Sequence, residues 1–231
     1  MRRISRASFT RFDAQLGRAH SGRAYDLLAM DSTADFDRGT VTDTALALFL
    51  ARGFGATTLD DIAEASGVSV ETISRVFPTR ESFVLDVVDD MLAAAVKHLA
   101  EGEQDEDLVD ALSRAHKEML GGIIAGTGAV PVQRMQQMGL LAMASPTLAA
   151  AISERRKQTL PLALAEHYGM DPDDPLILRT VRVWSGVVSG TYAAGISDSA
   201  DIEPARDLDD TRRMTRRLDH SFKHITGRSE Y

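Results

Sequence analysis

Apolar residues recur along most of this chain at the three- and four-residue spacing of amphipathic helices, and alternation with a period of two is scarce. The first stripe comprises Val41, Ala45, Leu48 and Phe49, and Gly53 marks its expected end. A long stripe follows from about residue 80 to 100. Further helical runs are expected at about 107–125, 132–144, 147–168, 174–196 and 204–225. The pattern therefore predicts an all-α chain of about nine helices.

The composition divides the chain into three parts. Residues 1–37 are polar, poorly periodic and rich in arginine, which predicts a basic flexible leader. Residues 38–85 contain short helical runs and predict a small three-helix N-terminal domain. Residues 86–231 predict a larger helical bundle, in which the acidic segment 101–107 is a connector. Pro161 is expected to kink its helix.

The segment "TTLDDIAEASGVSVETISRVF", residues 57–77, holds two helical runs separated by only three residues. Thr58 and Asp61 form a capping-box pattern at the start of the first run, and Ser69 can cap the second. A turn this tight needs a positive φ angle, which Gly67 adopts without a Cβ penalty. These features predict a helix-turn-helix, whose second helix can enter a DNA major groove. The residues expected to hold the unit together are Ala63, Gly67, Val68, Ile73 and Phe77.

The longer stretch "TALALFLARGFGATTLDDIAEASGVSVETISRVFPTRESFVLDVV" resembles the TetR family of bacterial transcriptional regulators. This resemblance implies a cytoplasmic homodimer with an N-terminal domain for double-stranded operator DNA and a C-terminal domain for an effector. On a helical wheel, residues 71, 72, 74 and 75 face outward or flank the outer face, and Thr58 and Arg80 lie near helix N-termini, where phosphates bind. The expected DNA-binding residues are Thr58, Ser69, Glu71, Thr72, Ser74, Arg75 and Arg80.

An alternative function is a helical small-molecule-binding or interaction protein with weak or lost DNA recognition. Val70, Ser74 and Val76 stand where the family commonly carries Lys, Tyr and His. Residues 38–85 also hold more acidic than basic side chains, which is unfavourable for phosphate attraction. The arginine-rich leader could offset this deficit by reaching an adjacent groove as an arm.

The second half contains features that fit either a plain core or a ligand pocket. Methionines line two predicted helices at core spacing, and methionine also lines adaptable apolar pockets. The segment "LAMASPTLAAAISERRKQTLPLALAEHYGMDPDDP" is similar to the acyl-CoA-responsive, mycofactocin-regulator-like subgroup of the family. An acyl-CoA needs an apolar slot and cations near its phosphates, for which Arg134, Arg155 and Arg156 are candidates. The expected effector-binding residues are Met119, Ile123, Arg134, Met138, Trp184, Val188 and Tyr192.

Composition narrows the function classes further. The chain contains no cysteine, and its formal net charge is −8, which argues against a general nucleic-acid coat protein. No apolar run reaches the length of a membrane span, and no hydrolase, zinc-protease or nucleotide-binding motif is present. His220 and His224 could share a helix face, but we expect no metal site, cofactor or enzymatic activity. The sequence predicts a ligand-responsive dimeric regulator, a repressor released from its operator by a small apolar effector, with acyl-CoA as one candidate.

Overall fold

Eight α-helices and no strand make up residues 36–197, the continuous part of the chain that the computed structural model describes; beyond it, only Arg216 is described. Within this part, the side chains of residues 192–197 are not described. The all-α class is confirmed. The leader up to residue 35 and the helix expected at 204–225 lie outside the described residues. The helices are α1 (Arg38–Arg52), α2 (Leu59–Ser66), α3 (Val70–Val76), α4 (Arg80–Ala100), α5 (Leu108–Ile124), α6 (Val132–Ala144), α7 (Pro146–Tyr168) and α8 (Pro175–Ser197).

Side-chain caps define most of the helix starts. Asp37, Thr58, Ser69 and Thr79 each accept a hydrogen bond from a backbone N–H in the first turn of the helix that follows. These bonds satisfy amide groups that have no partner within the helix. The short helices α2 and α3 are therefore bounded by local chemistry, which explains why their limits could be read from the sequence.

An aromatic cluster holds α1, α2 and α3 against the start of α4. Phe77 stacks on Phe83 with ring centroids 4.1 Å apart, and Phe49 meets Phe83 edge-on at 6.2 Å. Ile62 and Ile73 fill the space between the two short helices and are fully buried. Ile73 is the one buried residue of α3, so its packing against Ile62 and the aromatic cluster fixes which face of α3 turns inward.

Helix α4 belongs to both halves of the chain. Its first turns pack on α1 through Phe83 and Val84, and its later turns pack against α5 and α7. The boundary expected at residue 85 falls inside this continuous helix, and the division into two domains stays a prediction. Helix α6 makes a second connection, because it packs against α1 as well as against α7. Among the described residues, no helix is long and apolar enough to cross a membrane.

Candidate DNA-binding surface and effector cavity

The turn between α2 and α3 has the backbone geometry that its glycine suggests. Gly67 adopts φ 70° and ψ 16°, in the left-handed region. A Cβ atom at this position would meet no heavy atom within 4 Å, so the backbone angle alone favours glycine. The Ser69 hydroxyl then accepts from the Thr72 N–H at 3.2 Å and starts α3 immediately. Val68 is half-buried against the core.

Helix α3 presents a polar outer face. Ile73 is buried, whereas Glu71 and Arg75 are 84% and 52% exposed at their side chains. These two residues form an ion pair at 3.1 Å, one helical turn apart. Thr72 and Ser74 are half-buried beside them. Because exposed pairs at this spacing contribute little, Arg75 can exchange its partner at small cost.

The other arginines between residues 38 and 85 are engaged within the protein. Arg38 pairs with Asp86, and Arg52 pairs with Asp61 at 3.2 Å. Asp61 also completes the capping box: its carboxylate accepts from the Thr58 N–H at 2.8 Å, while the Thr58 hydroxyl accepts from the Asp61 N–H at 3.1 Å. The hydrogen bonds from Thr58 hold the pKa of Asp61 below its ordinary value, and the Arg52 charge adds to this effect. The hydroxyl expected to meet phosphate therefore already caps a helix.

Arg80 braces the loop that precedes α2. Its guanidinium donates to the carbonyl oxygens of Phe54, Gly55 and Thr57 at 3.1, 2.8 and 3.1 Å, and it lies 5.3 Å from the centre of the Phe54 ring. Three carbonyl acceptors on one planar cation fix its position tightly. This arrangement positions the α1–α2 loop, and the expected contact between Arg80 and phosphate stays a prediction.

A cavity of about 200 Å³ lies among α4, α5, α6, α7 and α8. Helices α4 and α6 contribute only apolar lining residues, and α5, α7 and α8 contribute every polar one among those described. Met143 and Ser189 are exposed and Arg156 is half-buried, which places them where the cavity meets solvent. The lining residues are Val88, Met91, Leu92, Ala95, His116, Met119, Met138, Gly139, Ala142, Met143, Ala149, Ile152, Arg156, Trp184 and Ser189.

His116 and Trp184 form the inner polar part of this wall. Their rings meet edge-on, with centroids 5.2 Å apart. Burial, with a smaller contribution from the Arg156 charge, lowers the pKa of His116 to about 3, so the imidazole is neutral at pH 7. The Trp184 side chain is buried, and its indole N–H has no hydrogen-bond acceptor among the described residues. Since an unsatisfied buried donor is costly, an acceptor on a ligand would be favoured there.

Three of the residues expected to bind an effector line the cavity, namely Met119, Met138 and Trp184. Ile123 and Val188 lie one turn beyond Met119 and Trp184 on α5 and α8; both are buried in the core and neither lines the cavity. The side chain of Tyr192 lies outside the described residues, as do His220 and His224. The cavity is only about one to two turns deep along each helix, which is why neighbours at helical spacing fall outside it.

Arg134 also lies away from the cavity and joins α6 to α1. Its Nε and Nη2 atoms donate to the two carboxylate oxygens of Asp43 at 2.7 and 2.9 Å, and Nη2 donates to the Gly39 carbonyl at 3.3 Å. Hydrogen bonds to Asp43 raise the pKa of the Arg134 guanidinium above its usual value. Arg155, a further expected cation, pairs with Asp89 on α4 at 3.4 Å. Arg156 alone of the three candidate cations lines the cavity.

His116 and Ser189 were not anticipated from the sequence. His116 occupies a core position of the α5 stripe, between Leu112 and Met119, so helical spacing could have placed it inside. Nothing in the local sequence indicates that it would border an opening. Ser189 is one of several small residues in α8, and only the tertiary structure separates it from the others.

Comparison with protein families matches residues 41–87 to "Bacterial regulatory proteins, tetR family". This is a family of regulatory proteins and not of enzymes. The matched segment covers most of α1, all of α2 and α3, and the first turns of α4. Among curated proteins, the HTH-type transcriptional regulator TcmR of Streptomyces glaucescens is 32% identical over 137 residues, which make up 56% of this chain. The chain spans 59% of the length of this relative.

Solved structures with a similar arrangement of helices include two regulators. A TetR-family transcriptional regulator from Mesorhizobium loti is 15% identical with a TM-score of 0.47, and the alignment covers 85% of this chain and 98% of that one. FadR from Thermus thermophilus, a TetR-family repressor in complex with lauroyl-CoA, is 23% identical with a TM-score of 0.43. That alignment covers 80% of this chain and 94% of the FadR chain. Similarity at this level carries no functional argument.

Proposed function

We propose, from the tetR-family DNA-binding region that this chain carries, that the protein is a dimeric cytoplasmic transcriptional regulator, a repressor that a small apolar effector releases from operator DNA. The observation that carries the proposal is the family match over residues 41–87, on a segment folded as a helix-turn-helix with a solvent-facing α3. Thr72, Ser74 and Arg75 are the side chains of α3 best placed to reach base edges or phosphates in a major groove.

The cavity supports the effector part of the proposal. Its walls are mostly apolar, and its volume exceeds the roughly 150 Å³ of an engineered cavity that binds benzene. It is smaller than the range of about 300–1,000 Å³ typical for drug-sized ligands. A compact molecule therefore fits the cavity better than a whole acyl-CoA. The acyl-CoA candidate is also weakened because Arg134 and Arg155 pair with Asp43 and Asp89 instead of facing the cavity.

Helix α6 offers a direct route from the cavity to the DNA-binding half. Met138 and Ala142 line the cavity, and Arg134 of the same helix holds α1 through Asp43. A ligand that binds more tightly to one position of α6 would bias the position of α1. The size of this effect is limited by the difference in ligand affinity between the two conformations.

Exposed apolar side chains on the last two described helices support the homodimer. Leu162 of α7 and Leu176, Leu178 and Val183 of α8 are large, apolar and exposed. A second copy covering these residues would bury them, and a two-fold axis would repeat the same contacts on both chains.

A mobility-shift titration with DNA from upstream of the protein's own coding region tests the proposal. We expect a shift at low salt, and we expect Arg75→Ala to weaken it and to lower the slope of log affinity against log salt by about 0.9 if Arg75 binds phosphate. Lys97→Ala removes the same charge from α4 and is the matched control. No shift at low salt would instead favour the small-molecule-binding alternative, for which the internal engagement of Arg38, Arg52 and Arg80 is the supporting observation.

A further inference from the structure

The cavity is chemically two-sided. The wall made by α4 and α6 is apolar throughout, and its largest side chains are Met91, Leu92, Met138 and Met143. All polar lining groups among the described residues lie on the opposite wall, formed by α5, α7 and α8. A ligand that satisfies both walls must have an apolar body and a polar group on one side or at one end.

The polar wall carries one full charge, and that charge is positive. Arg156 lines the cavity, and no Asp or Glu does so among the residues that the structure describes. Its Nη1 atom donates to the Ser189 hydroxyl at 3.0 Å, which holds the guanidinium at the mouth. A guanidinium carries N–H donors in a planar fork whose geometry matches a carboxylate. The neutral state of His116 adds no second charge.

The inner end of the same wall offers hydrogen-bond donors without charge. The Trp184 N–H faces an environment with no acceptor among the described residues, and its ring lies against His116. The Arg156 charge contributes to the lowered pKa of His116, and Arg156, His116 and Trp184 line the same cavity. A carboxylic acid with an additional carbonyl or hydroxyl group would offer a charged acceptor to Arg156 and an uncharged one to the inner end.

We infer that the effector is a compact apolar carboxylic acid, of one or two rings or an equivalent chain, whose carboxylate binds Arg156 and whose body packs against the methionines of α4 and α6. That the bound acid acts as an effector rests on the proposed function, whereas the binding chemistry is argued from the cavity alone. The cavity volume of about 200 Å³ sets the size, and the single lining cation sets the charge.

Paired probes test the charge without altering the protein. Trp184 is the only tryptophan of the chain and lies in the cavity wall, so its fluorescence reports binding directly. We would titrate the full chain with 2-naphthoate and octanoate, and with 2-naphthamide and octanamide, which have the same shape and no charge. Each acid is expected to bind at least about tenfold more tightly than its amide, the lower end of what a charge-assisted hydrogen bond contributes.

Variants then assign the preference to Arg156. Arg156→Gln should reduce the acid-to-amide ratio to near one while leaving the amide affinities unchanged, and Arg156→Lys should retain part of the ratio. Lys157→Gln removes the same charge from the exposed neighbouring position of α7 and should change neither affinity. Melting temperatures of all variants report whether the fold is intact, and the wild-type ratio is available even if a variant is unstable.

Several outcomes would overturn the inference: equal binding of acids and amides, no saturable binding by any probe, tighter binding of 2-naphthyl phosphate than of 2-naphthoate, or an unchanged ratio in a folded Arg156→Gln. Tighter binding of octanoyl-CoA than of octanoate would also overturn it, since that result would require phosphate contacts. Acids that bind as expected but leave operator binding unaffected would support the cavity chemistry and count against the proposed function. The two can thus fail separately.

Discussion

Replacing Arg134 by Met and Asp43 by Asn, singly and together, isolates the energy of the ion pair that joins α6 to α1. Both changes keep the approximate size of the side chain and remove its charge. The double variant removes the pair without leaving a charged partner behind, so the cycle separates the pairwise energy from the cost of each single change. We expect a coupling free energy of about 1 kcal/mol favouring the native pair.

This magnitude follows from the geometry and exposure of the two residues. Two hydrogen bonds of 2.7 and 2.9 Å make the contact bidentate, and the Arg134 side chain is only 16% exposed. Asp43, however, is 56% exposed, so water screens much of the attraction. Unit charges 4 Å apart interact by about 1 kcal/mol in water and about 4 kcal/mol near a protein surface, before the cost of ordering the side chains. Because Asp43 is half-exposed, the attraction between Asp43 and Arg134 is expected to be closer to the value in water than to the value near a protein surface.

Urea denaturation of the four proteins at pH 7 and moderate salt measures the coupling. The ion pair between Glu71 and Arg75 is a control within the same chain, because it has one hydrogen bond at 3.1 Å between exposed groups. Its coupling is expected at about 0.3–0.5 kcal/mol. If the Arg134–Asp43 coupling is no larger than that of the control pair, the bidentate contact does not hold α6 to α1. The proposed route from the cavity to the helix-turn-helix then loses its physical basis.

Three further substitutions test separate parts of the structure. Gly67→Ala should lower the free energy of unfolding by about 1–2 kcal/mol, because residue 67 has a left-handed φ of 70°. Gly121→Ala, in open space on α5, should raise the free energy of unfolding by about 0.5–1 kcal/mol. Destabilisation by both changes would point to lost contacts instead of backbone strain. In the wild type, the free energy of unfolding should fall by up to about 1.4 kcal/mol per pH unit between pH 6.5 and about 3, because His116 is protonated in the unfolded chain but not in the folded one. His116→Gln should remove this acid sensitivity. Parallel pH profiles of unfolding for the two proteins would contradict this. Arg80→Lys keeps the positive charge, but the shorter side chain cannot reach all three carbonyl groups. The variant should therefore have a lower melting temperature and an unchanged salt dependence of DNA binding. Unchanged stability with weaker DNA binding would instead assign Arg80 to a phosphate contact.

The helices could be predicted from the sequence because their ends are determined by neighbouring residues. The run expected at 132–144 is the helix Val132–Ala144, and the break at Gly67 lies where the glycine indicates. Thr58 and Asp61 complete the expected capping box within four residues of each other. Capping signals between residues this close in sequence hold in the folded protein, because tertiary contacts act on helices whose limits are already set locally.

The residues that line the cavity were harder to predict, because a helical stripe does not distinguish a packed interior from an opening. Met119 and Ile123 share one face of α5, yet only Met119 reaches the cavity. The sequence makes Arg134 a candidate for a ligand phosphate, but Asp43, 91 positions earlier in the chain, lies within hydrogen-bonding distance of it. His116 combines both difficulties, because burial and a distant arginine determine its charge state. Each case depends on residues far apart in sequence.

The continuity of α4 has a consequence for how such a protein can be recombined. A chimera that joined the first 85 residues to a bundle from another protein would place the junction between Val84 and Val87, both buried, in the middle of one helix. Moving the junction to the connector after residue 100 would preserve α4, but it would still exchange Arg134 for an unmatched residue opposite Asp43. The two halves of this chain therefore constrain each other's sequence at two places. We expect successful exchange of either half, in evolution or in the laboratory, to require inheritance of α4 together with the first turn of α6.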